Sequence, residues 1–228
     1  SDLVPDDAQA ALSTLQADAA PMAPTLAAGV VQTELGVPPE RVFLDWTDLP
    51  VAAASIGQVH RAVTHEGIDV AVKVQYPGVH EAIESDLDAA EVMYAMFSAM
   101  MLKGLDAKGL VDELRERMRE ELDYRLEARN VQEFGTLFAG HPWVRIPQLV
   151  PELSTEKLLT TEWVDGMTFD EFRATASHDT KQRASEVLWR FAQHAINRHG
   201  AFNGDPHPGN YKFHHDGSVT FLDYGLVK

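Results

Sequence analysis

The chain contains no cysteine. Disulfides, thiolate nucleophiles and Cys-ligated metals are therefore excluded, and a reducing compartment suits the chain. Cations are scarce: 19 Lys and Arg stand against 35 Asp and Glu, a formal net charge of −16. Non-specific capture of nucleic acid or of an anionic lipid surface needs clustered Lys and Arg, so no nucleic-acid partner is expected. Long apolar runs are missing too, since a membrane span needs roughly 18 to 20 apolar residues. The nearest stretch, AAEVMYAMFSAMMLKGL at 89–105, is bracketed by Glu91 and Lys103. Its length predicts a buried helix. Its methionines, four of the seven in the chain, alternatively suit an adaptable apolar surface for a lipid or a partner. The N-terminus lacks the basic-then-apolar order of a signal peptide.

What is present is a globular composition, 45% apolar over 228 residues. That is enough for one large domain or two small lobes. Helices are expected over 6–17 and from Pro24 to Leu35, the second stopped by Gly36. Residues 41–46, 58–63 and 68–75 read as strands, the last two joined by the turn THEG. Residues 80–103 and 107–133 read as two long helices, the second very rich in charge. WVRIPQLV and EKLLTTEW follow as short strands, then helices over 169–176 and 180–199. In the last of these Val187, Leu188, Phe191, Ala192, Ala195 and Ile196 trace one apolar face. Strands with inserted helices, then helices, then a hairpin, predict an α+β fold.

The chemistry concentrates near the C-terminus, in NGDPHPGNYKFHHDGSVTFLDYG. Asp216-Gly217 is a two-residue hairpin signal. A turn at those two residues pairs 213 with 220 and Asn210 with Asp223, setting the amide beside the carboxylate. Asp205 lies just before, in a loop stiffened by Pro206 and Pro208. Mg²⁺ takes hard oxygen ligands and keeps several waters, so one carboxylate and one amide suit it. A second, free carboxylate can take a proton from a hydroxyl. Asp, then Asn five residues on, then Asp-aromatic-Gly is the order of a phosphoryl-transfer site, here with Tyr224 as the aromatic residue. Two alternatives stay open: a polar hairpin built from Asx turns, and a transition-metal site from His207, His214 and His215.

Phosphoryl transfer needs a cation for the phosphates. The first lysine in the chain is Lys73, in VAVKVQ. Strand alternation puts Val70, Val72 and Val74 on one face. Ala71, Lys73 and Gln75 fall on the other, with Ala71 leaving room for a flat base. Lys73 could also be a solvated edge residue. Upstream, PVAAASIGQVH stands where a phosphate-binding loop belongs. Small side chains allow backbone N–H groups close to phosphate, but alanine lacks the left-handed freedom of glycine, so the loop should be stiff. A carboxylate for the lysine could come from Glu120, Glu121, Asp123 or Glu127. Glu120, Asp123 and Glu127 are spaced to share one helix face.

Taken in order, VAAASIGQVHRA, VAVKVQYPGV, ELDYRLEARN, GDPHPGN and LDYG resemble the UbiB/AarF-domain (ADCK) family of atypical kinase-like proteins. GDPHPGN alone is shared with small-molecule phosphotransferases similar to aminoglycoside and choline kinases. The resemblance implies a two-lobed, protein-kinase-like fold that binds ATP or ADP with Mg²⁺. It implies an N-terminal helical extension over 1–40, an N-lobe over 41–164 carrying a helical insert at 80–133, and the start of a C-lobe over 165–228. Lys73 would hold the phosphates, with Glu127 as its ion-pair partner. Glu121 and Asp123 match the family's Glu-x-Asp motif facing the nucleotide. Val51, Ala52, Ala53, Ala54, Ser55, Ile56, Gly57 and Val59 would cover it, with Ala71 beside the base. Backbone groups of Glu162 and Val164 would meet adenine, with Thr161 behind them. Asp205 would be the catalytic base, and Asn210 and Asp223 the metal ligands.

The family's association with quinone and isoprenoid-lipid metabolism implies a lipid, a quinone precursor or a membrane-associated protein as partner. It also implies a place in the cytoplasm or peripherally at the inner membrane face. The Lys-x-Gly-Gln helix motif is absent, and the chain stops three residues after LDYG, so a partial domain is expected. Two alternatives remain: a nucleotide- or lipid-binding regulatory module without turnover, motivated by the alanine-rich loop, and a small-molecule phosphotransferase of the aminoglycoside/choline kinase type.

Overall fold

The computed structural model describes residues 21–101, 107–199, 207–225 and 227. The helix expected over 6–17 and the expected base Asp205 lie outside these residues. Helix α1 (Pro24–Leu35) starts on a proline, whose missing N–H costs nothing in a first turn. It stops at Gly36, whose φ of 79° is the left-handed conformation that glycine adopts without strain. A short turn, α2 (Pro39–Val42), leads into β1 (Phe43–Trp46), so the strand expected over 41–46 begins later than expected.

Strands β2 (Ala52–Ala54), β3 (Gly57–Thr64), β4 (Asp69–Gln75) and β6 (Leu158–Glu162) join β1 in a five-stranded sheet. Its order is β1-β3-β4-β6, with β2 also paired to β3, and every pairing is antiparallel. Val70, Val72 and Val74 are fully buried in a cluster with Ala27, Val30 and Val31 of α1. Covering the valine face with α1 turns Ala71 and Lys73 to the sheet's other side.

Helices α3 (Val79–Met101) and α4 (Ala107–Leu122) pack on each other. Arg115 bridges to Asp88 at 2.8 Å and Arg119 to Glu84 at 3.0 Å. Val92 and Met93 are each 63% exposed, so this part of the methionine-rich helix is not the buried helix that length predicts. Among the described residues no helix is long and apolar enough to cross a membrane.

The single helix expected over 107–133 is broken at Asp123. Its backbone is extended (φ −105°, ψ 94°), and its Oδ1 accepts the Arg125 N–H to cap α5 (Tyr124–Leu137). Aspartate competes with helical hydrogen bonding in helix interiors and favours this cap. The break removes the shared face expected for Glu120, Asp123 and Glu127.

The second half is built on a three-stranded sheet, β5-β8-β7 (Val144–Arg145, Val219–Phe221 and Tyr211–Phe213). Two helices lie before β7: α6 (Phe169–Thr175), opened by a Thr168–Glu171 capping box, and α7 (His178–His194). WVRIPQLV supplies only the two-residue β5. Phe134, Phe138, Phe172, Phe191, Phe213, Phe221 and Tyr224 form the core, with the Phe191 and Phe221 rings stacked at 3.7 Å. Val187, Phe191 and Ala195 are buried, but Ile196 turns outward where α7 gives way to a π-helical turn at Ala195–His199.

The hairpin register differs by one residue from the sequence expectation. Phe213 pairs with Val219 and Tyr211 with Phe221, and the Leu222 N–H donates to the Asn210 carbonyl. A two-residue type I′ turn needs positive φ at both Asp216 and Gly217. Only Gly217 has it, at 85°. The loop is therefore 215–217, closed by Gly217, with the Asp216 side chain accepting from Ser218. Asn210 lies opposite Leu222, not Asp223.

Candidate functional site

Between the two sheets opens a cleft of about 680 Å³. Its floor is an ion cluster. Lys73 Nζ lies 2.9 and 3.1 Å from the two carboxylate oxygens of Glu127 and 3.3 Å from Asp223 Oδ2. Glu127 is 4% exposed, Lys73 14% and Asp223 29%, so the pair is dry on the protein side and open toward the cleft. The Tyr124 ring lies beneath the ammonium, 5.1 Å from Nζ to the centroid.

Burial by itself would lower the Lys73 pKa. The carboxylates of Glu127 and Asp223 outweigh it and hold the amine charged, above its ordinary value. Burial pushes Glu127 up, an effect the Lys73 ammonium offsets in part. Burial also pushes up the Tyr124 phenol, keeping it neutral.

Helix α5 holds this cluster against the closing hairpin. Asn130 Nδ2 donates to the Tyr224 carbonyl at 2.8 Å, and the Tyr224 N–H approaches Glu127 Oε1 at 3.5 Å. Asp223 Oδ1 accepts the Gly225 N–H at 2.9 Å, which leaves Oδ2 for Lys73. The Tyr224 side chain is buried, its hydroxyl donating to the Phe221 carbonyl.

The alanine-rich loop forms one wall. Ala52, Ala53, Ala54, Ser55 and Val59 line the cleft, and so do Ala71, Lys73, Thr161, Glu162, Val164, Asn210 and Asp223. Other expected residues stand behind or beside it. Val51 is exposed, its N–H bonded to Val59. Ile56 is buried under the loop with Leu122, Tyr124 and Leu159. A Cβ on Gly57 would collide with the Val74 carbonyl oxygen and lie 2.9 Å from the Tyr124 hydroxyl. Glycine is required there for close approach, not for positive φ. Glu127 stands behind Lys73. Glu121 accepts from Ser55 Oγ at 3.2 Å and so ties the loop to the end of α4. Asp123 does not line the cleft, and its carboxylate caps α5.

Tyr76, Leu159, Trp163, His207, Gly209 and Leu222 also line the cleft and were not expected. Alternation from Thr161 could have found Leu159 and Trp163, and Leu159 pairs directly with Lys73. Nothing local marks Tyr76 or Leu222.

Asn210 and Asp223 offer hard oxygens in the same cleft, a donor set that fits Mg²⁺ completed by phosphate and water. The histidine alternative is not formed. His214 bonds to Thr220, and among the described residues no group of three or more His, Asp or Glu could hold a metal.

A family model for the ABC1 atypical kinase-like domain matches residues 14–228. The chain belongs to this family. As an ABC1 domain it has an α+β, kinase-like fold, with the cleft between its two sheets. A relative named ACTIVITY OF BC1 COMPLEX KINASE 1, chloroplastic, from Arabidopsis thaliana is 35% identical over 99% of this chain and 34% of its own length. The uncharacterized protein sll1770 of Synechocystis is 32% identical over all of this chain and 40% of its own. This ABC1 domain thus spans about a third of the length of the curated relatives it matches. Among solved structures, Mycobacterium tuberculosis Rv3197, in complex with erythromycin, is 36% identical, with a TM-score of 0.80 over 99% of this chain and 57% of that one.

Proposed function

We propose that the chain is the nucleotide-binding portion of a Mg²⁺-dependent atypical kinase or ATPase. The observation that carries this reading is the buried Lys73–Glu127 pair opening onto Asp223 at the floor of the cleft. Lys73, held charged and in place by Glu127, binds phosphate oxygens. Ala52, Ala53, Ala54 and Ser55 lie over them, and Thr161, Glu162 and Val164 take the base. Asn210 and Asp223 hold Mg²⁺, which when bound neutralises the phosphate charge. Asp205 is the proposed base for an acceptor hydroxyl. The kinase names of the Arabidopsis relatives support phosphotransfer. The family resemblance supports a quinone-precursor or isoprenoid-lipid acceptor and a peripheral membrane partner.

Titration of ATP and ADP into the protein, with and without Mg²⁺, beside Asp223→Asn tests the reading. Binding should require Mg²⁺, because a net charge of −16 repels the free nucleotide, and the variant should lose at least about tenfold in affinity. Metal-independent binding, or binding untouched by the variant, would refute it. A second reading, a nucleotide-binding module without turnover, is favoured by the alanine loop. Ala52–Ala54 is an ordinary strand paired to β3, a stiffer cover than a glycine loop. Phosphate release under saturating nucleotide separates the two readings.

A further inference from the structure

We infer that Gln58 and His60 form a proton-operated latch that fastens the segment before α1 to the sheet and releases it in acid. Both side chains are buried on β3, on the face that Ala62 shares with α1. The Met22 N–H donates to Gln58 Oε1 at 2.9 Å. A backbone N–H can only donate, so the Gln58 atom facing it is the amide oxygen. The amide nitrogen therefore turns to His60 Nε2, 2.8 Å away. An amide nitrogen also only donates, so Nε2 accepts and the imidazole proton sits on Nδ1. That N–H donates to the Thr47 carbonyl at 2.8 Å. Trp46 stacks on the ring, 4.6 Å between centroids, and fixes its plane. Each of these bonds is made only while the ring is neutral.

A second proton would go to Nε2, against the hydrogens of the Gln58 amide. Turning the amide over offers its oxygen to the ring but sets its NH₂ against the Met22 N–H. A bond to a charged group is stronger than one between neutral groups, so the oxygen goes to the imidazolium and Met22 is let go. Helix α1 has no side-chain cap of its own to hold its start. Around the ring, burial opposes the proton and Asp48, after β1, favours it; burial prevails and holds the pKa below its ordinary value. The other charges nearby are turned away or engaged. Asp45 of β1 is exposed, Glu34 of α1 accepts from Thr155, Arg61 pairs with Asp69 of β4, and Lys73 of β4 lies on the sheet's other side with Glu127. Because the folded pKa is depressed, the closed latch contributes fully above the unfolded value of about 6.5 and is lost as pH falls through the folded one.

The test is NMR of the protein from about pH 7.5 down to about pH 5. It reads the His60 ring nitrogens and the exchange protection of the Met22 and Val31 amides. At the upper end His60 should be the Nδ1–H tautomer. On acidification Met22 should lose protection by about tenfold or more as the ring takes its proton. Val31, fully buried in the same helix, should keep its own. In Gln58→Glu a carboxylate accepts from both neighbours, so His60 should stay protonated to higher pH and Met22 should stay protected throughout. Gln58→Met keeps the stem without the amide and should leave Met22 equally unprotected at every pH. It serves as the second variant if the carboxylate prevents folding. An Nε2–H tautomer, or a ring that stays neutral throughout, would overturn the inference. So would Met22 protection that ignores the His60 titration or survives in Gln58→Met. Equal losses at Met22 and Val31 would mean general acid unfolding and would overturn it as well.

Discussion

Lys73→Met tests the ion cluster most directly. Methionine keeps the unbranched stem but removes the cation from between two carboxylates, 2.9 Å from Glu127 and 3.3 Å from Asp223. Breaking a buried pair costs about 3 to 5 kcal/mol, because one charge is left dry and unpaired. Partial exposure of Lys73 and Asp223 puts the expected loss near the lower end, about 3 kcal/mol. The loss must depend on pH. Burial already raises Glu127 above its ordinary value, and removing the ammonium removes the main opposing effect. In the variant, folding therefore favours protonated Glu127. A folded-state pKa above the unfolded one contributes stability at low pH that disappears as pH rises through the folded value. In the unaltered protein Lys73 stays charged across the range and its ammonium opposes the effect of burial on Glu127, so the reference has the same slope in a shallower form. Urea unfolding at about pH 8 should show the full ~3 kcal/mol loss, and a smaller loss at about pH 5. Glu127→Gln has no proton to take up and should lack this slope. Equal losses for Lys73→Met at both pH values would refute the reasoning, since Glu127 would then have to be ionised and stabilised by some other group.

Gly57→Ala should destabilise the protein by about 3 kcal/mol, because the added methyl meets the rigid Val74 carbonyl and not a side chain that can turn away. Thermal unfolding checks this, and a change within about 0.5 kcal/mol would mean that β2 and β3 yield readily. Tyr124→Phe should be neutral or stabilising by up to about 1 kcal/mol, since the buried hydroxyl has no hydrogen-bond partner among the described residues while the ring beneath Lys73 is kept. A loss above about 1 kcal/mol in urea unfolding would reveal a partner for the hydroxyl.

Local order was legible wherever a short-range rule decides. Strand alternation placed Lys73 opposite the three valines, and Pro24 and Gly36 delimited α1 at both ends. Where two local rules competed, sequence reasoning erred. Asp123 sits in a strongly helical run and also makes a good cap, and only the fold shows the cap winning. Asp216-Gly217 suits two hairpin loops, and the choice of the three-residue one moved Asn210 from Asp223 to Leu222. The two side chains still line one cleft, because Asn210 sits in a turn before β7 and Asp223 lies one residue past the pairing.

By itself, then, the sequence determined which residue types are present in phosphoryl-transfer order, and which strand face carries Lys73. Alternation and turn chemistry act over a few residues and need no partner. Local spacing left four nearby acids open as partners for that lysine; the family resemblance pointed to Glu127, and the tertiary structure decided it. The break at Asp123 starts a new helix whose first turn points Glu127, but not Glu120 or Asp123, at Nζ. Only the tertiary structure set Gly57 against the Val74 carbonyl, and brought Tyr76, Trp163 and His207 to one cleft. Those contacts join residues far apart in the chain, and their geometry follows from how two sheets and α5 pack, which no short stretch encodes.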